Sequence, residues 1–354
     1  MKILINALSG IGDALMFTPS LKLLKKAYPN SEIHALVMFR AVKDFYDRNS
    51  NVNKVIYYDF LSNGYLKSLK FILSLRGKYD VSINVYPSNR KEYNIINFLI
   101  GAKRRAAIKY LRKDFENFGF LNNVRIVEND SLHNVQTNIA LCEKLSEQHL
   151  NFEPPLEFPL QKEDFNYAST FLQQNNILQK DLVIGFHAGS ATLKNHANRR
   201  WEPEKFAELG RLLIRNYNAK ILLFGGPAEE QLKNNIVSLI NHEDAHVVPS
   251  RNILESASVM KRCDVFVTND SSLMHISSAL QLKVVAIIGP TNPKYIYPWK
   301  TEHKIVSLNL DCAPCFFYSP RPLICNRNDV KFKCIKELDV DRVYAAVLEF
   351  IITK

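Results

Sequence analysis

The stretch from Asp264 to Gly289 constrains the fold of this chain more than any other part of its sequence. Its first apolar run leads into the polar turn Thr268-Asn269-Asp270-Ser271-Ser272, then a helical segment from Leu273 to Leu280, and then a second apolar run. This order predicts a strand, a turn, a helix and a second strand. The turn lies where a strand ends and a helix begins. The free backbone N–H groups of such a helix start bind anions, diphosphates in particular.

The same strand–turn–helix–strand pattern opens both halves of the chain. In the first half, the apolar run Lys2 to Ala7 leads into the turn Ser9-Gly10-Ile11-Gly12-Asp13 and an amphipathic helix. In the second half, Leu182 to Phe186 leads into His187-Ala188-Gly189-Ser190, a polar loop and another helix. Between them, the proline-containing segment Leu150 to Pro159 lacks a clear period and is predicted to be a linker.

A chain of 354 residues is longer than one hydrophobic core usually supports, so two domains are expected. The alternation of strands and helices predicts an α/β fold with two Rossmann-like domains, whose parallel sheets face each other across a ligand-binding cleft. We place the N-terminal domain at residues 1–160, the C-terminal domain at residues 161–335 and a last amphipathic helix at residues 336–354.

Lysine and arginine (46) outnumber aspartate and glutamate (35), which gives a formal net charge of +11. One local cluster comprises Lys103-Arg104-Arg105, Lys109, Arg112 and Lys113. A solvated face explains such a cluster, and so does attraction to phosphate groups, nucleic acid or a membrane surface. Charge alone does not select among these explanations.

The sequence contains no apolar stretch approaching the ~20 residues that span a bilayer. The N-terminal MKILINALSG has the pattern of a first strand rather than that of a signal peptide. We therefore expect a cytoplasmic protein, and peripheral contact with the inner membrane from that side stays open.

Four of the six cysteines lie close together near the C-terminus, whereas Cys142 and Cys263 are isolated in apolar surroundings and are expected in the core. In a reducing compartment the Cys-x2-Cys-x9-Cys-x8-Cys spacing favours a structural metal over disulfides. Four thiolates suit tetrahedral Zn²⁺ or a mononuclear iron. Free thiols and disulfides are the alternatives. The predicted ligands, in the Cys-rich segment 312–334, are Cys312, Cys315, Cys325 and Cys334.

The turn after the first strand argues against a dinucleotide-binding dehydrogenase. Gly10-x-Gly12 is only a fragment of that fingerprint, because Leu15 stands at the third glycine position. Asp13 in the turn would also repel a diphosphate. We interpret Asp13 as a carboxylate at the cleft edge that accepts a proton, and a helix cap is the alternative.

Four motifs, taken together and in order, resemble those of glycosyltransferase family 9, the bacterial heptosyltransferases. Ser9-Gly10-Ile11-Gly12-Asp13 resembles the family's Ser-x-Ile-Gly-Asp turn. His187-Ala188-Gly189-Ser190 with Arg199-Arg200-Trp201 resembles its His-Pro/Ala-Gly…Lys-Arg-Trp segment. Asn269 to His275 resembles its Asn-Asp-Thr-Gly-x-x-His signature, and Gly289-Pro290-Thr291 matches the Gly-Pro-Thr that follows. The motifs extend over most of the chain.

The resemblance implies a GT-B fold and an inverting sugar transfer, typically of heptose from ADP-heptose to a lipopolysaccharide inner-core acceptor. The C-terminal domain would bind the donor and the N-terminal domain the acceptor, without a catalytic cofactor. Asp13 matches the family's catalytic base, and Ser9, Gly10 and Gly12 form the acceptor-side loop around it. The donor-binding positions that the family implies are Ser190, Lys194, Arg199, Arg200, Glu229, Asp270, Ser271, Ser272 and His275.

Two departures from the family pattern affect the donor side. The loop before Arg199 carries the extra residues Lys194 to Asn198, so the resemblance does not assign the phosphate contact to one basic residue. Ser272 stands where the family commonly has glycine, which bears on how closely the donor sugar approaches. On spacing alone, His275 also fits a buried core histidine.

Other functions stay open beside transfer to lipopolysaccharide. Autotransporter heptosyltransferases, which modify proteins, are similar in carrying a four-cysteine cluster, which in them holds iron. A nucleotide-sugar epimerase or hydrolase would use the same GT-B scaffold with a different set of carboxylates. A nucleic-acid-binding protein is suggested only by the basic charge and the cysteines, whereas the rest of the chain has the pattern of a two-domain enzyme.

Overall fold

The computed structural model describes residues 1–191, 193–317 and 322–352, with the backbone alone at residues 193 and 194. These residues form two compact units. The N-terminal unit comprises Met1–Pro159, and the C-terminal unit comprises Leu160–Phe317 together with residues 322–352. None of the helices in the described ranges is long and apolar enough to cross a membrane.

A six-stranded parallel sheet forms the centre of the N-terminal unit. Its strands in chain order are β1 (Lys2–Ala7), β2 (Glu32–Val37), β3 (Lys54–Tyr57), β4 (Val81–Asn84), β5 (Arg104–Lys109) and β6 (Val124–Val127). Across the sheet the order is β3-β2-β1-β4-β5-β6, with Ile3 opposite both Ile33 and Val81. This is the Rossmann order, in which the strand order reverses between β1 and β4.

The C-terminal unit repeats this topology. Its strands are β7 (Val183–His187), β8 (Lys220–Leu223), β9 (Ala245–Val247), β10 (Val265–Asn269), β11 (Lys283–Ile287) and β12 (His303–Val306). Across the sheet the order is β12-β11-β10-β7-β8-β9, with Val265 opposite both Ile184 and Lys283. The order therefore reverses between β7 and β10. The predicted strand–turn–helix–strand from Asp264 to Gly289 is confirmed as β10, a helix and β11.

Helices connect the parallel strands and cover the sheets. Those of the N-terminal unit are α1 (Ile11–Met16), α2 (Thr18–Ala27), α3 (Arg40–Tyr46), α4 (Gly64–Leu75), α5 (Lys91–Ile100) and α6 (Asn134–Ser146). Those of the C-terminal unit are α7 (Lys162–Gln174), α8 (Pro203–Tyr217), α9 (Glu230–Ile240), α10 (Ile253–Met260), α11 (Ser272–Ala279), α12 (Pro293–Ile296), α13 (Lys333–Lys336) and α14 (Val340–Ile352).

The central strands are mostly apolar because helices bury both faces of each sheet. In β1, Ile3, Leu4 and Ile5 are fully buried. In the C-terminal unit, Phe206 of α8 and Val343 of α14 belong to one core cluster with the strands. The last amphipathic helix thus stabilises the C-terminal sheet rather than standing apart from it.

The structure corrects three details of the sequence prediction. The basic run Lys103-Arg104-Arg105 leads into β5, whose residues 106–108 are buried, while Lys103 is exposed and the two arginines are half-buried. Arg105 donates to the carbonyls of Ala102 and Leu121 over 2.9 and 3.0 Å, which satisfies its guanidinium locally. The predicted first helix is two helices, α1 and α2, since α2 starts anew with Pro19 in its first turn. Strands β5, β9 and β12 were not predicted.

A chain of buried asparagines runs through the N-terminal unit. Asn6 of β1 donates to Asn84 of β4 over 3.1 Å and to Asn97 of α5 over 2.9 Å. From there the amide contacts continue to the loops that follow β4 and β5. Amides buried in this way are tolerated because they satisfy one another. We call this group the asparagine chain; its members are Asn6, Asn84, Asn89, Asn94, Asn97, Asn117 and Asn122.

Candidate active site

The switch point of the C-terminal sheet, between β7 and β10, carries a group of polar side chains. His187 is the last residue of β7, Asn269 is the last residue of β10, and Glu229 follows β8. The carboxyl ends of parallel strands meet at one edge, so residues distant in sequence come together there. Asn269 donates to the Ala188 carbonyl over 2.8 Å and accepts the Trp201 N–H over 3.0 Å. These bonds fix the start and the end of the loop that carries the two arginines.

Glu229 is held from three sides. His187 Nε2 lies 3.1 Å from Glu229 Oε2, and His187 Nδ1 lies 2.9 Å from Ser271 Oγ. The Gly226 N–H donates to the same carboxylate over 2.9 Å. A Cβ on Gly189 would stand only 1.8 Å from Glu229 Oε1. The carboxylate therefore occupies space that any side chain at Gly189 would take.

Arg200 and Ser190 complete this group. Arg200 Nη2 lies 3.5 Å from Glu229 Oε1, and Arg200 Nε donates to Ser190 Oγ over 3.3 Å. Burial opposes ionisation of Glu229, but the contacts with His187, Gly226 and Arg200 outweigh it and hold the pKa of this carboxyl below its usual range. Glu229 is therefore an anion at neutral pH, and it orients both His187 and Arg200.

Asp270 and Arg199 form a buried ion pair beside this group. Arg199 Nη1 donates to Asp270 Oδ2 over 2.5 Å, and Thr291 Oγ1 donates to the same oxygen over 2.6 Å. The side chains of Arg199 and Asp270 are only 9% and 10% exposed, and the guanidinium lies 5.5 Å from the ring centroid of Phe316. Buried charges require such partners. The pair holds Arg199 in one orientation at the carboxyl end of β10.

Helix α11 begins beside these residues without a side-chain cap. Ser271 is its N-cap residue, but no cap hydrogen bond forms from the Ser271 side chain. The hydroxyl lies instead near His187 and 3.2 Å from Thr268 Oγ1. The N–H groups of the first turn, beginning at half-buried Ser272, are therefore not satisfied by Ser271. The positive end of the helix dipole also favours an anion at the first turn of α11.

His275 lies one turn into α11 and is buried. Burial lowers its pKa to about 4, against the opposing charge of Asp270, so the ring is neutral at neutral pH. Its Nδ1 has no hydrogen-bond partner among the described residues. A core histidine would be buried, as His275 is. A core histidine would also have hydrogen-bond partners for its ring nitrogens, and Nδ1 of His275 has none among the described residues.

The structure brings most of the predicted donor-side residues to one edge of one sheet. Through His187, one hydrogen-bonded group joins Ser190, Arg200, Glu229 and Ser271. A second group is the pair Arg199–Asp270, and Ser272 and His275 lie on the adjoining helix. The Lys194 side chain lies outside the described residues, and its backbone belongs to the 3-10 helix Leu193–Arg199.

The predicted acceptor-side loop lies at the equivalent switch point of the N-terminal sheet, between β1 and β4. Ser9 Oγ donates to the Pro87 carbonyl over 2.7 Å, which ties the turn after β1 to the turn after β4. Half-buried Asp13 is the third residue of α1, and its Oδ2 accepts the Gly10 N–H over 3.1 Å. Gly12, the second residue of α1, is buried. The carboxylate therefore has a capping contact at a position where ligands bind to Rossmann sheets.

No disulfide joins the four C-terminal cysteines in the described part of the chain. Burial and the neighbouring Cys315, Cys325 and Cys312 raise the pKa of Cys334 to about 11. Arg327 Nη1 lies 3.5 Å from Cys312 Sγ, and the Phe332 N–H donates to Cys325 Sγ. Among residues 1–191, 193–317 and 322–352, no three His, Cys, Asp or Glu side chains are placed to hold one metal ion.

Sequence reasoning missed three residues of this site. His187 lies in a motif whose pattern assigns it no role, yet it contacts both Glu229 and Ser271. Thr291, from the Gly-Pro-Thr motif, binds Asp270. Asn269 ties the strand ends together. Each was visible as a polar residue at or just beyond the end of a predicted strand, which is the signal that finds such residues.

Two six-stranded Rossmann sheets, each with polar side chains at its switch point, define an α/β protein of the GT-B fold class. The family model of glycosyltransferase family 9 (heptosyltransferase) matches residues 68–321. The chain therefore belongs to glycosyltransferase family 9, and the resemblance drawn from its four motifs is confirmed.

Individual relatives agree with this assignment. The chain is 29% identical over 318 residues to lipooligosaccharide heptosyltransferase 2 of Haemophilus influenzae, covering 87% of this chain and 89% of that protein. It is 27% identical to lipooligosaccharide heptosyltransferase 2 of Campylobacter jejuni over 97% of both chains. The structure of E. coli ADP-heptose LPS heptosyltransferase II matches the fold with a TM-score of 0.74 at 20% identity, over 100% of this chain and 99% of that one.

Proposed function

We propose that this glycosyltransferase moves a heptose from ADP-heptose to an inner-core sugar of lipopolysaccharide, on the cytoplasmic side of the inner membrane. The observation that carries the donor assignment is the uncapped start of α11 next to two arginines. Free helix N–H groups and guanidinium groups are the ligands that proteins offer to diphosphates. The curated relatives, lipooligosaccharide and lipopolysaccharide heptosyltransferases, support the sugar and the acceptor class.

Arg200 is the better candidate for direct phosphate contact. Arg199 already has a short contact with Asp270, whereas the contact of Arg200 with Glu229 is 3.5 Å long and that arginine is less buried. A diphosphate at the start of α11 would meet Arg200 and the first-turn N–H groups. Arg199, oriented by Asp270, would add positive charge at the same edge of the sheet. Charge that develops on the leaving ADP is then stabilised by groups that need no reorganisation.

Glu229 is suited to a hydroxyl of the donor, on its ribose or its sugar. The carboxylate is ionised and accepts hydrogen bonds, which is what sugar hydroxyl donors require. His187 and Gly226 fix its position on one side. His275, neutral and with a free ring nitrogen, would contribute a further polar contact at the same edge.

In this transfer Asp13 would act as the general base. The acceptor hydroxyl oxygen forms a bond to the anomeric carbon from the face opposite the diphosphate. Its proton passes to the Asp13 carboxylate as the bond between the anomeric carbon and the phosphate oxygen breaks. ADP leaves with that electron pair, and the configuration at the anomeric carbon is inverted.

Thermal unfolding in the presence of ADP, UDP, GDP and their sugar conjugates tests the donor assignment. We expect ADP-heptose to raise Tm most, because at equal concentration the ligand with the lowest Kd stabilises the folded state most, by about 2.7 kcal/mol at 100 times its Kd. With a heptose-deficient core acceptor, ADP should be released in step with heptose transfer. A preference for a UDP-sugar would contradict the donor, and sugar release that needs no acceptor would indicate a hydrolase.

We further propose that Cys312, Cys315, Cys325 and Cys334 bind one Zn or Fe ion as a structural site. Four thiols with no disulfide among them are a donor set that such metals prefer. The contacts of Arg327 and the Phe332 N–H with two of the sulfurs are of the kind that stabilises thiolates. A site with four protein ligands is closed, so its metal would hold the C-terminal segment in place and leave the sugar chemistry to other residues.

Metal analysis of protein purified without chelators should find about one Zn or Fe per chain, as expected for a four-thiolate site. The double variant Cys315→Ser/Cys325→Ser should lose the metal and unfold at lower temperature. Cys263→Ala, which removes an isolated buried cysteine in the same unit, should keep it. A metal-free wild-type protein that is fully stable would contradict the site.

A further inference from the structure

Helix α4 of the N-terminal unit presents an apolar stripe to solvent. Tyr65 and Leu66 are 94% and 85% exposed, Leu69 and Leu73 are more than two-fifths exposed, and Leu61 just before the helix is 72% exposed. We call these five residues the α4 stripe. Single exposed apolar residues are ordinary, but a continuous set on one helix marks an interaction surface.

The stripe is separate from the face by which α4 joins the core. Ile72 and Leu75 are buried, and the Phe71 ring stacks on Tyr58 with centroids 3.9 Å apart. At roughly 100° per residue, these three residues occupy one side of the helix. Tyr65, Leu66, Leu69 and Leu73 fall on a different arc of roughly 100°. Packing into the core therefore does not explain why the side chains on this exposed arc are apolar. A contact with a second surface does explain it.

The charged side chains on and just after α4 are all positive, and the nearest carboxylate in sequence before the stripe is Asp59, which accepts the Leu61 N–H. Lys67 and Lys70 are exposed on the helix next to the stripe, and Arg76 and Lys78 follow its end. The sequence has no aspartate or glutamate from Leu61 to Lys78. Within the described part of the chain, none of these four cations forms an ion pair. Basic and apolar side chains together on one helix surface suit the interface of a bilayer that contains anionic lipids.

We infer that the α4 stripe docks the enzyme on an anionic membrane surface, with its apolar side chains among the acyl chains and its lysines at the headgroups. A second copy of this chain is a poorer occupant, because pairing two such stripes would bring cations against cations. The inference rests on the proposed function in one respect: an acceptor anchored in a bilayer is met at that bilayer.

Flotation with vesicles of phosphatidylglycerol and phosphatidylethanolamine tests the stripe. Wild-type protein should float with these vesicles, less so at high salt, and not with phosphatidylcholine vesicles. The variants Tyr65→Ser/Leu66→Ser/Leu69→Ser and Lys67→Glu/Lys70→Glu should each bind at least about 10-fold more weakly. An unchanged Tm and an unchanged ADP response show that they remain folded.

Matched controls lie in the C-terminal unit. Leu178→Ser removes an apolar side chain that is 54% exposed, and Lys162→Glu/Lys180→Glu reverses two exposed charges. Both should float like the wild type. Wild-type protein that ignores anionic vesicles, or stripe variants that bind them normally, would overturn the inference. So would a wild-type dimer in sedimentation that the serine variant dissociates.

The same samples separate this inference from the proposed function. Normal transfer to a detergent-dispersed acceptor without vesicle binding would refute the docking surface and leave the transferase assignment intact. Vesicle binding without any response to ADP-heptose would support the docking surface and refute the proposed donor.

Discussion

Replacing Asp13 by asparagine should lower kcat by about 10²–10⁴-fold, the usual contribution of a general base, while ADP still binds. Asparagine has nearly the same shape, and its amide oxygen can still accept the Gly10 N–H that Asp13 Oδ2 now accepts. The exchange therefore removes the basic group and keeps the capping contact. Steady-state heptose transfer and calorimetric titration with ADP measure the two effects.

Asp59 provides the matched control for this experiment. Its carboxylate also accepts backbone N–H groups in a turn of the N-terminal unit, from Leu61 and Ser62. Asp59→Asn should keep wild-type turnover. Near-normal turnover of Asp13→Asn would refute the base assignment. A Tm that drops together with the turnover would show instead that the capping role of Asp13 dominates.

Replacing Asp270 by asparagine should weaken ADP binding by about 10–100-fold, equivalent to about 1.4–2.7 kcal/mol. The loss arises because the charged contact with Asp270 Oδ2 is the shortest of the contacts that orient Arg199. Removing one charge of a buried pair also leaves the other uncompensated, so the folded state should lose stability. Titration with ADP and thermal unfolding, run side by side, separate the two consequences.

The double variant Arg199→Gln/Asp270→Asn sharpens this test. If Asp270 acts on the nucleotide only by orienting Arg199, the double variant should bind ADP no more weakly than Arg199→Gln alone. Asp244→Asn is the control, because Asp244 pairs with Lys220 at the start of β8, at the opposite end of that strand from Glu229. Unchanged ADP affinity with reduced stability would make the Arg199–Asp270 pair a purely structural contact.

The architecture was largely predictable because its signals are local. Apolar runs that end in Gly, Asp or Ser turns and alternate with amphipathic helices predict a doubly wound sheet without knowledge of tertiary contacts. The exceptions have local causes too. Strand β5 opens with Arg104 and Arg105, whose charges are satisfied by backbone carbonyls that the sequence does not reveal. Strand β9 has only three residues, too few for a period to show.

The partners within the site were not predictable in the same way. The turn at Asp270 was located from sequence, but its bond to Arg199 joins residues 71 positions apart. The contact of His187 with Glu229 depends on which strands are neighbours in the sheet. Such pairings follow from register and strand order, which one sequence does not determine. The Gly189 requirement appears only once the Glu229 carboxylate is placed against it.

The asparagine chain bears on how mutational data for this enzyme should be understood. The amides bond to one another, so replacing one of them leaves neighbours unsatisfied at a cost of about 1–3 kcal/mol. Carboxamides do not titrate, so the asparagine chain produces no pH dependence that would reveal its role. A saturation scan would report Asn6, Asn84 and Asn97 as intolerant to change, a profile usually attributed to catalysis. Here that intolerance would reflect folding, and protein abundance measured alongside activity would reveal the difference.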